Sequence, residues 1–234
     1  MSALGHPRVH LRLTDSTNSR AYELARAGAP HGTLVSADQQ SAGRGRHGRQ
    51  WSAPPRSSVL ISLVLRDPPA LLPLLAAVAV CEVLGQDARI KWPNDVVLER
   101  SGGLAKLAGI LAEGRPQEGW AVLGIGLNVA VRLEELPPQI RATAATLGGS
   151  REQIEPTVGL LVDSLQRRLA EEEGAILEAW RERDVLRGRE VSWAGGQGCA
   201  AGIDGTGRLV VGLPDGTQLT LDAAEVHLES YSSA

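Results

Sequence analysis

Gly43-Arg44-Gly45-Arg46-His47-Gly48-Arg49, followed at once by Gln50 and Trp51, is the stretch on which the reading of this chain turns. Three arginines, three glycines and His47 fill seven positions with no aliphatic side chain to bury, so the segment forms neither a helix nor a strand core. Glycine lets the backbone wrap close to a ligand and frees its amides as donors, while guanidinium pairs with carboxylate or phosphate oxygens through two parallel hydrogen bonds. Taken alone, the heptad fits a solvated basic loop as well as an anion-binding one. The rest of the chain has to separate the two.

A chain of 234 residues is expected to form one large domain, or a large and a small one. At this size folding buries roughly 70–75% of the unfolded surface, so no disulfide or metal staple is required. With no Phe, five Trp and two Tyr, the core must be built from Leu, Val, Ile and Ala. A formal net charge of −3 argues against a general nucleic-acid or acidic-membrane binder, whose basic charge is spread over a face. Basic character here is local. Cys81 and Cys199 match no metal or redox spacing, and Cys81 ends an apolar run as a small buried hydrophobe. The first twelve residues lack the apolar centre of a secretory signal, and the run 70–81 contains Pro73 and is too short to span a bilayer. The expectation is a soluble, reduced, cytoplasmic protein without membrane or nucleic-acid partners.

Of 24 basic residues, 22 are Arg and only two are Lys, at Lys91 and Lys106. Where Arg serves for surface charge everywhere else, these are positions at which a compact ammonium on a flexible stem is a candidate requirement.

Residues 9–13 alternate as a short strand, and Asp15-Ser16-Thr17-Asn18 supplies N-cap residue types for a helix through Ala25, stopped by Gly28-Ala29-Pro30. Residues 33–37 read as a strand leading into the Arg/Gly loop, and 59–65 as a strand buried on both faces. A buried helix is expected over 70–84 and a strand over 88–91, then a hairpin of 107–112 with 120–131. Residues 132–150 read as a polar, mobile connection, and 158–169 and 175–180 as helices. After Arg187-Gly188-Arg189 four short strands, 191–193, 199–203, 209–213 and 218–221, alternate with Gly195-Gly196, Asp204-Gly205 and Asp215-Gly216 turns, the texture of a small β-barrel. The expected division is residues 1–186 and 187–234.

Three further stretches carry chemistry. Lys91-Trp92-Pro93-Asn94-Asp95 is good turn material, and its Lys and carboxylate, four apart, could also face a phosphate and its Mg²⁺. Lys106-Leu107-Ala108-Gly109-Ile110-Leu111 places the second lysine where a strand is expected to begin, either as an edge guard or toward a ligand, and Gly109 marks a close approach. Gly124-Ile125-Gly126-Leu127-Asn128 fails as a dinucleotide fingerprint because Val129 stands where the third glycine belongs, so it reads as a strand passing under a ligand, with Asn128 a candidate for an adenine edge. The histidines at 6, 10, 31, 47 and 227 have no zinc spacing.

Read in order, Asp15–Asn18, Gln40–Arg49 with Trp51, Lys91–Asp95, Lys106–Leu111 and Gly124–Asn128 make the chain resemble the biotin protein ligases, over about residues 9–230. The resemblance implies an α/β (α+β) fold: a mixed β-sheet catalytic domain related to that of class II aminoacyl-tRNA synthetases, with a small SH3-like β-barrel behind it. It implies the monofunctional type without an N-terminal DNA-binding domain.

The implied reaction has two steps. Biotin's carboxylate attacks the α-phosphate of Mg-ATP, giving biotinyl-5′-AMP and pyrophosphate; a lysine of a biotin carboxyl carrier protein or domain then attacks the mixed anhydride and expels AMP. Two anions must meet, so fixed positive charge and positioning are needed. By resemblance, Ser16, Thr17, Asn18 and Gln40 hold biotin, Arg44, Gly45 and Arg46 close over the carboxylate and phosphate, and Lys106 bridges them. Asp95 aligns the incoming amine or the Mg²⁺ of ATP, Trp51 and Asn94 belong to the adenylate side, Lys91 lies near the phosphates and Asn128 near adenine. ATP with Mg²⁺ and biotin are thus substrates, no permanently bound metal is expected, and a homodimer is a further implied partner state. Residues 99–105 look long for the segment between Asp95 and Lys106, and 132–150 lacks a Trp to stack on adenine. A lipoate ligase or octanoyl transferase of the same fold is the rival enzyme; a nucleic-acid module using the Arg/Gly loop is the rival of another class.

Overall fold

The computed structural model describes residues 3–222 and 227–228. Residues 1–2, 223–226 and 229–234, the outer ends of the two expected domains, lie outside the described residues. A seven-stranded mixed sheet carries the first part of the chain. Its strands are β1 (Arg8–Leu11), β2 (Leu34–Ala37), β3 (Ser58–Arg66), β4 (Ala88–Lys91), β5 (Asp95–Arg100), β6 (Gly103–Arg115) and β7 (Trp120–Asn128), in the order β1-β2-β3-β7-β6-β5-β4. Only β1 and β2 pair in parallel.

The two faces of this sheet take different helices because the residues alternate. In β3, Val59, Ile61, Leu63 and Leu65 enter the main core, where α2 (Leu72–Leu84), α4 (Ile154–Arg168) and α5 (Glu173–Arg181) pack. On the other face Val64, with Val35, Trp120 and Val122, receives Ala21 and Ala25 of α1 (Thr17–Arg26). Both faces of β3 are therefore covered, as its unbroken apolar run requires. Helix α2 is buried over nearly its whole length, and Cys81 within it has its thiol pushed up to about 12 by burial, which leaves it an inert packing residue. Glu82 at its end is the polar tie to α4: burial opposes its charge, but hydrogen bonds from Arg168 and Ser164 outweigh that and hold the carboxyl below its ordinary range.

Several expectations change. Residues 95–100 are a full strand, and the supposed long tip over 99–105 is a two-residue turn, Ser101-Gly102, because Arg100 already pairs with Gly103. Lys106 is consequently three residues inside β6 rather than at its start. A register shift between Val96 and Val97 then sets Asp95 opposite Gly109 and Val97 opposite Lys106. Residues 132–150 do not run as an open connection: a short helix α3 (Pro138–Arg141) is followed by a strip that docks on the sheet. There the Lys106 amide donates to the Thr143 carbonyl at 2.6 Å, the Ala145 amide to Lys106 at 2.7 Å, and the Leu147 amide to Asn128 at 3.0 Å. Ala144 and Ala145 are buried, which the Pro-Pro and Gly-Gly punctuation had concealed. Residues 183–185 cover the outer edge of β4, the Ile90 amide donating to Arg183 and the Val185 amide to Ile90.

The last part forms a five-stranded antiparallel sheet, β11-β10-β9-β8-β12, from β8 (Glu190–Trp193), β9 (Gly196–Ile203), β10 (Leu209–Gly212), β11 (Gln218–Leu221) and β12 (His227–Leu228). The first four fall where the turn signals place them; β12, two residues long, leaves no readable pattern. This unit seats on α2 through Gly207, whose left-handed φ of 80° and lack of a side chain admit Leu71 and Leu74. The Trp92 indole N–H donates to the Gly207 carbonyl at 3.0 Å, from the turn that carries Asn94 and Asp95. No helix among the described residues is long and apolar enough to cross a membrane.

Trp92→Phe keeps the buried ring but strands the Gly207 carbonyl. We expect a loss of about 1–3 kcal/mol in unfolding free energy, the cost of one buried unsatisfied acceptor, measured by urea denaturation. An unchanged midpoint would show that the contact does not tie the small sheet to the large one.

Candidate active site

The cleft lies on the α1 face of the large sheet, over the middle of β3, β7 and β6. Its floor is made by positions without side chains. Gly109 of β6 stands opposite Gly126 of β7, and Gly124 pairs across β7 with Ser62 of β3. A Cβ on Gly126 would lie 2.5 Å from the indole of Trp51, one on Gly109 would lie 3.0 Å from the same ring, and one on Gly124 would overlap the Asn18 side chain. Glycine is therefore demanded by close approach. The close neighbour of Gly109, anticipated as a ligand or backbone, is Trp51 together with the Lys106 stem.

The wall comes from the N-terminus of α1. Ser16 is its N-cap, accepting from the Ser19 amide, which places Thr17 and Asn18 in the first turn facing the floor. All three are buried. Gln40 Oε1 accepts from the Thr17 amide at 2.7 Å and from its hydroxyl at 3.0 Å. Ser62 hydrogen-bonds Thr17 Oγ1 at 2.8 Å and Asn18 Oδ1 at 2.6 Å. The polar groups at this end thus hold one another in fixed directions, as a site for a neutral polar ligand group requires.

The Arg/Gly loop forms the roof. Its ends are closed by the Trp51 amide donating to Gly43 at 2.9 Å and the Gly45 amide donating to Arg49 at 2.7 Å, with a short 3₁₀ turn over Arg46–Gly48. Arg44 reaches Glu113 at 2.7 Å, and Arg46 donates to Asn94 Oδ1 at 3.2 Å. Asn94 in turn donates to the Ile110 carbonyl at 2.6 Å, fixing the turn of Lys91–Asp95 onto β6. Lys106 Nζ lies 2.6 Å from Asp95 Oδ1 and 5.7 Å from the centre of the Trp51 ring, within range of a cation–π contact. The indole N–H of Trp51 is buried without a hydrogen-bond partner among the described residues.

Ser16, Thr17, Asn18, Gln40, Arg44, Gly45, Arg46, Trp51, Asn94, Asp95 and Lys106 all line this one space of about 120 Å³, so eleven of the thirteen anticipated site residues converge. Lys91 and Asn128 do not line it. Lys91 pairs in register with Asp95 at the end of β4. Asn128 is buried with its side chain committed, Nδ2 donating to the Ala145 carbonyl at 2.9 Å and Oδ1 accepting from Ser58 at 3.3 Å. It holds the 143–147 strip in place. Two residues went unread in the sequence. Glu113 receives Arg44 on one oxygen and Asn18 Nδ2, at 3.0 Å, on the other, and Ser62 anchors the α1 turn. Glu113 was legible in principle, since 109, 111 and 113 share one face of a strand.

Chemically, the cleft offers the guanidinium groups of Arg44, Arg46 and Arg49 and the Lys106 ammonium beside the carboxylates of Asp95 and Glu113, with a rigid polar end some distance from them. That arrangement suits a ligand with a polar neutral head and an anionic reacting end. Among the described residues no group of three or more His, Cys, Asp or Glu is placed to hold a metal ion.

Known proteins share this arrangement of chain. Residues 10–129 match the Biotin/lipoate A/B protein ligase family. The Biotin--[acetyl-CoA-carboxylase] ligase of Mycobacterium tuberculosis is 34% identical over 92% of this chain and 86% of its own. The bifunctional ligase/repressor BirA of Bacillus spizizenii is 36% identical over 65% of this chain, which spans half of that relative's length. Among solved structures, the biotin protein ligase from Aquifex aeolicus in complex with biotin and ATP superposes with a TM-score of 0.78 over 96% of this chain and all of that one, at 24% identity. The fold is shared.

Gly126→Val should expel the Trp51 indole from the floor. Acrylamide quenching of Trp51, isolated by subtraction of a Trp51→Phe variant, is expected to rise several-fold; unchanged quenching would mean that the ring does not depend on this glycine.

Proposed function

We propose, for a chain that belongs to the Biotin/lipoate A/B protein ligase family, that it is an enzyme that activates biotin with ATP and joins it to a lysine of a biotin carboxyl carrier protein or domain. The observation that carries this reading is the convergence of Lys106, Asp95, Arg44 and Arg46 over one end of a cleft whose other end is the fixed polar cluster of Ser16, Thr17, Asn18 and Gln40.

Biotin enters with its polar ring against Ser16, Thr17, Asn18 and Gln40 and its carboxylate toward the loop. Its carboxylate oxygen attacks the α-phosphorus of Mg-ATP, the bond to the bridging oxygen breaks, and pyrophosphate leaves. Arg44 and Arg46 stabilise the meeting anions, and Gly45 lets the backbone of the loop close over them. Lys106 sits between them, because an ammonium on a flexible stem follows charge from carboxylate to phosphate. Asp95, 2.6 Å from that ammonium, orients it, and is available to Mg²⁺ of the ATP or to the acceptor amine when Lys106 turns to the ligand. The acceptor's ε-amine then attacks the acyl carbon and AMP departs. Trp51 supplies the apolar wall, and Asn94 holds Arg46 in reach. Lys91, paired in register with Asp95, stands at the phosphate end, and Asn128 acts by fixing the strip whose backbone brackets Lys106. The proposal includes a catalytic unit over 1–186 with a smaller unit over 187–234, a cytoplasmic location, and a homodimer.

Lys106→Ala is expected to abolish biotin-dependent exchange of pyrophosphate into ATP while leaving the melting temperature within a few degrees; its side chain is 39% exposed and carries no core packing. Near-normal exchange would remove Lys106 from the reaction. Arg46→Gly is expected to release biotinyl-AMP, seen as free adenylate accumulating during turnover without acceptor. Retention equal to that of the unchanged enzyme would contradict the closing role of the loop.

A further inference from the structure

A second cavity, about 230 Å³, opens on the other face of the large sheet, where β1, β2 and the start of β3 meet the first turn of α4. The register shows which face it is. His10, Ser36 and Ile61 stand in line across three strands, and Ile61 belongs to the core beneath α2 and α4, whereas Leu60 and Ser62 point to the cleft side. The two spaces lie back to back across β3.

Its floor is a polar chain. Ser36, 3% exposed, accepts from Arg8 Nε at 3.3 Å and Nη2 at 3.2 Å, and its hydroxyl meets His10 Nδ1 at 3.0 Å. His10 Nε2 lies 3.5 Å from Asp38 Oδ1. Arg8 is neutralised by a two-pronged pair with Glu155. At the rim stand Arg56 and Arg151, both exposed. Their charges act on Glu152, whose carboxyl is held below its ordinary range first by the Ser150 hydroxyl and further by these two arginines. Neither guanidinium forms a hydrogen bond or ion pair with a described residue. Arg56 also keeps a long basic side chain at a φ of 55°, a left-handed backbone where glycine or asparagine is the unstrained choice.

We propose that this cavity binds a small phosphate-bearing anion, at a site separate from the cleft and independent of the biotinylation reading. Arg56 and Arg151 bring two planar donor forks to one opening, and guanidinium matches phosphate oxygens in pairs. The chain of Arg8, Ser36, His10 and Asp38 holds the floor below them in fixed directions. In the lining Glu155 matches Arg8, which leaves Arg56 and Arg151 against Asp38, with Glu152 beside the rim. Inorganic phosphate and pyrophosphate are the two sources of that chemistry.

The test is a titration of the ¹⁵N-labelled full chain, without Mg²⁺ and at low salt, with inorganic phosphate and separately with pyrophosphate, followed by amide NMR. The expected result is saturable shifts clustered at Ser36, Asp38, residues 56–58 and residues 151–155. Arg56→Ala/Arg151→Ala should weaken that response at least about tenfold, a change of about 1.4 kcal/mol, while Lys106→Ala leaves it within about twofold. Both arginines being exposed, the double variant retains the fold, and Arg56→Lys/Arg151→Lys should recover part of the affinity. A stronger response to pyrophosphate assigns the site to a diphosphate, and an equal one to a single phosphoryl group. Shifts confined to residues 43–51 and 106–111, shifts at the cavity that survive the double alanine variant, or no saturable shifts would each overturn the proposal.

Discussion

The bare floor of the cleft is the constraint on which everything else rests. Because Gly109, Gly124 and Gly126 present no side chain, an indole ring can lie flat on two strands and the first turn of a helix can press its Asn18 against a third position. Those two approaches set the width of the space, and they fix where Lys106 ends, since its stem runs beside Gly109 and its ammonium faces the same indole. One methyl at Gly124 or Gly126 collides with groups that cannot yield without dismantling the wall or the roof. The sheet is therefore both core and site. Its other face carries the main apolar core under α2, α4 and α5.

Charge in the cleft is stored in pairs that are readily exchanged. Arg44 rests on Glu113 and Lys106 on Asp95, with side-chain exposures of 51% and 39% for the two cations. Pairs this open to water contribute about 0–1 kcal/mol each. In the proposed reaction an arriving carboxylate or phosphate takes over both cations at small cost. A buried, fully satisfied pair would have resisted that exchange. Partial exposure suits these residues to work on a charge that moves.

Much of this was legible in the residues. The alternation and continuity of 59–65 gave a doubly covered strand, the Asp15–Asn18 caps gave the helix start that also forms the polar wall, and the glycine inside 106–111 announced a close approach. The scarcity of lysine pointed to Lys106, which lines the cleft, and equally to Lys91, which does not. What stayed hidden depended on distant partners. Strand β5 is short, with a charged end, and pairs only because β6 extends past Lys106 to Gly103. The 143–147 strip carries loop residues, yet it is held by backbone groups of Lys106 and Asn128 that no local pattern reveals. Asn128 looked like a free ligand-reading amide and is instead spent on that strip. Glu113 lies just past the expected strand 107–112, where the hairpin connection was expected, and is instead shared by the wall and the roof.

The family joins biotin and lipoate ligases, so the central claim is about which acid this cleft activates. The direct measurement is ATP–pyrophosphate exchange by the full chain with Mg²⁺, run side by side with biotin, lipoate and a mixture of amino acids. The account predicts exchange that depends on biotin, with lipoate and amino acids at the level of the acid-free control. Exchange supported by lipoate in preference to biotin, or by none of the acids, would contradict it.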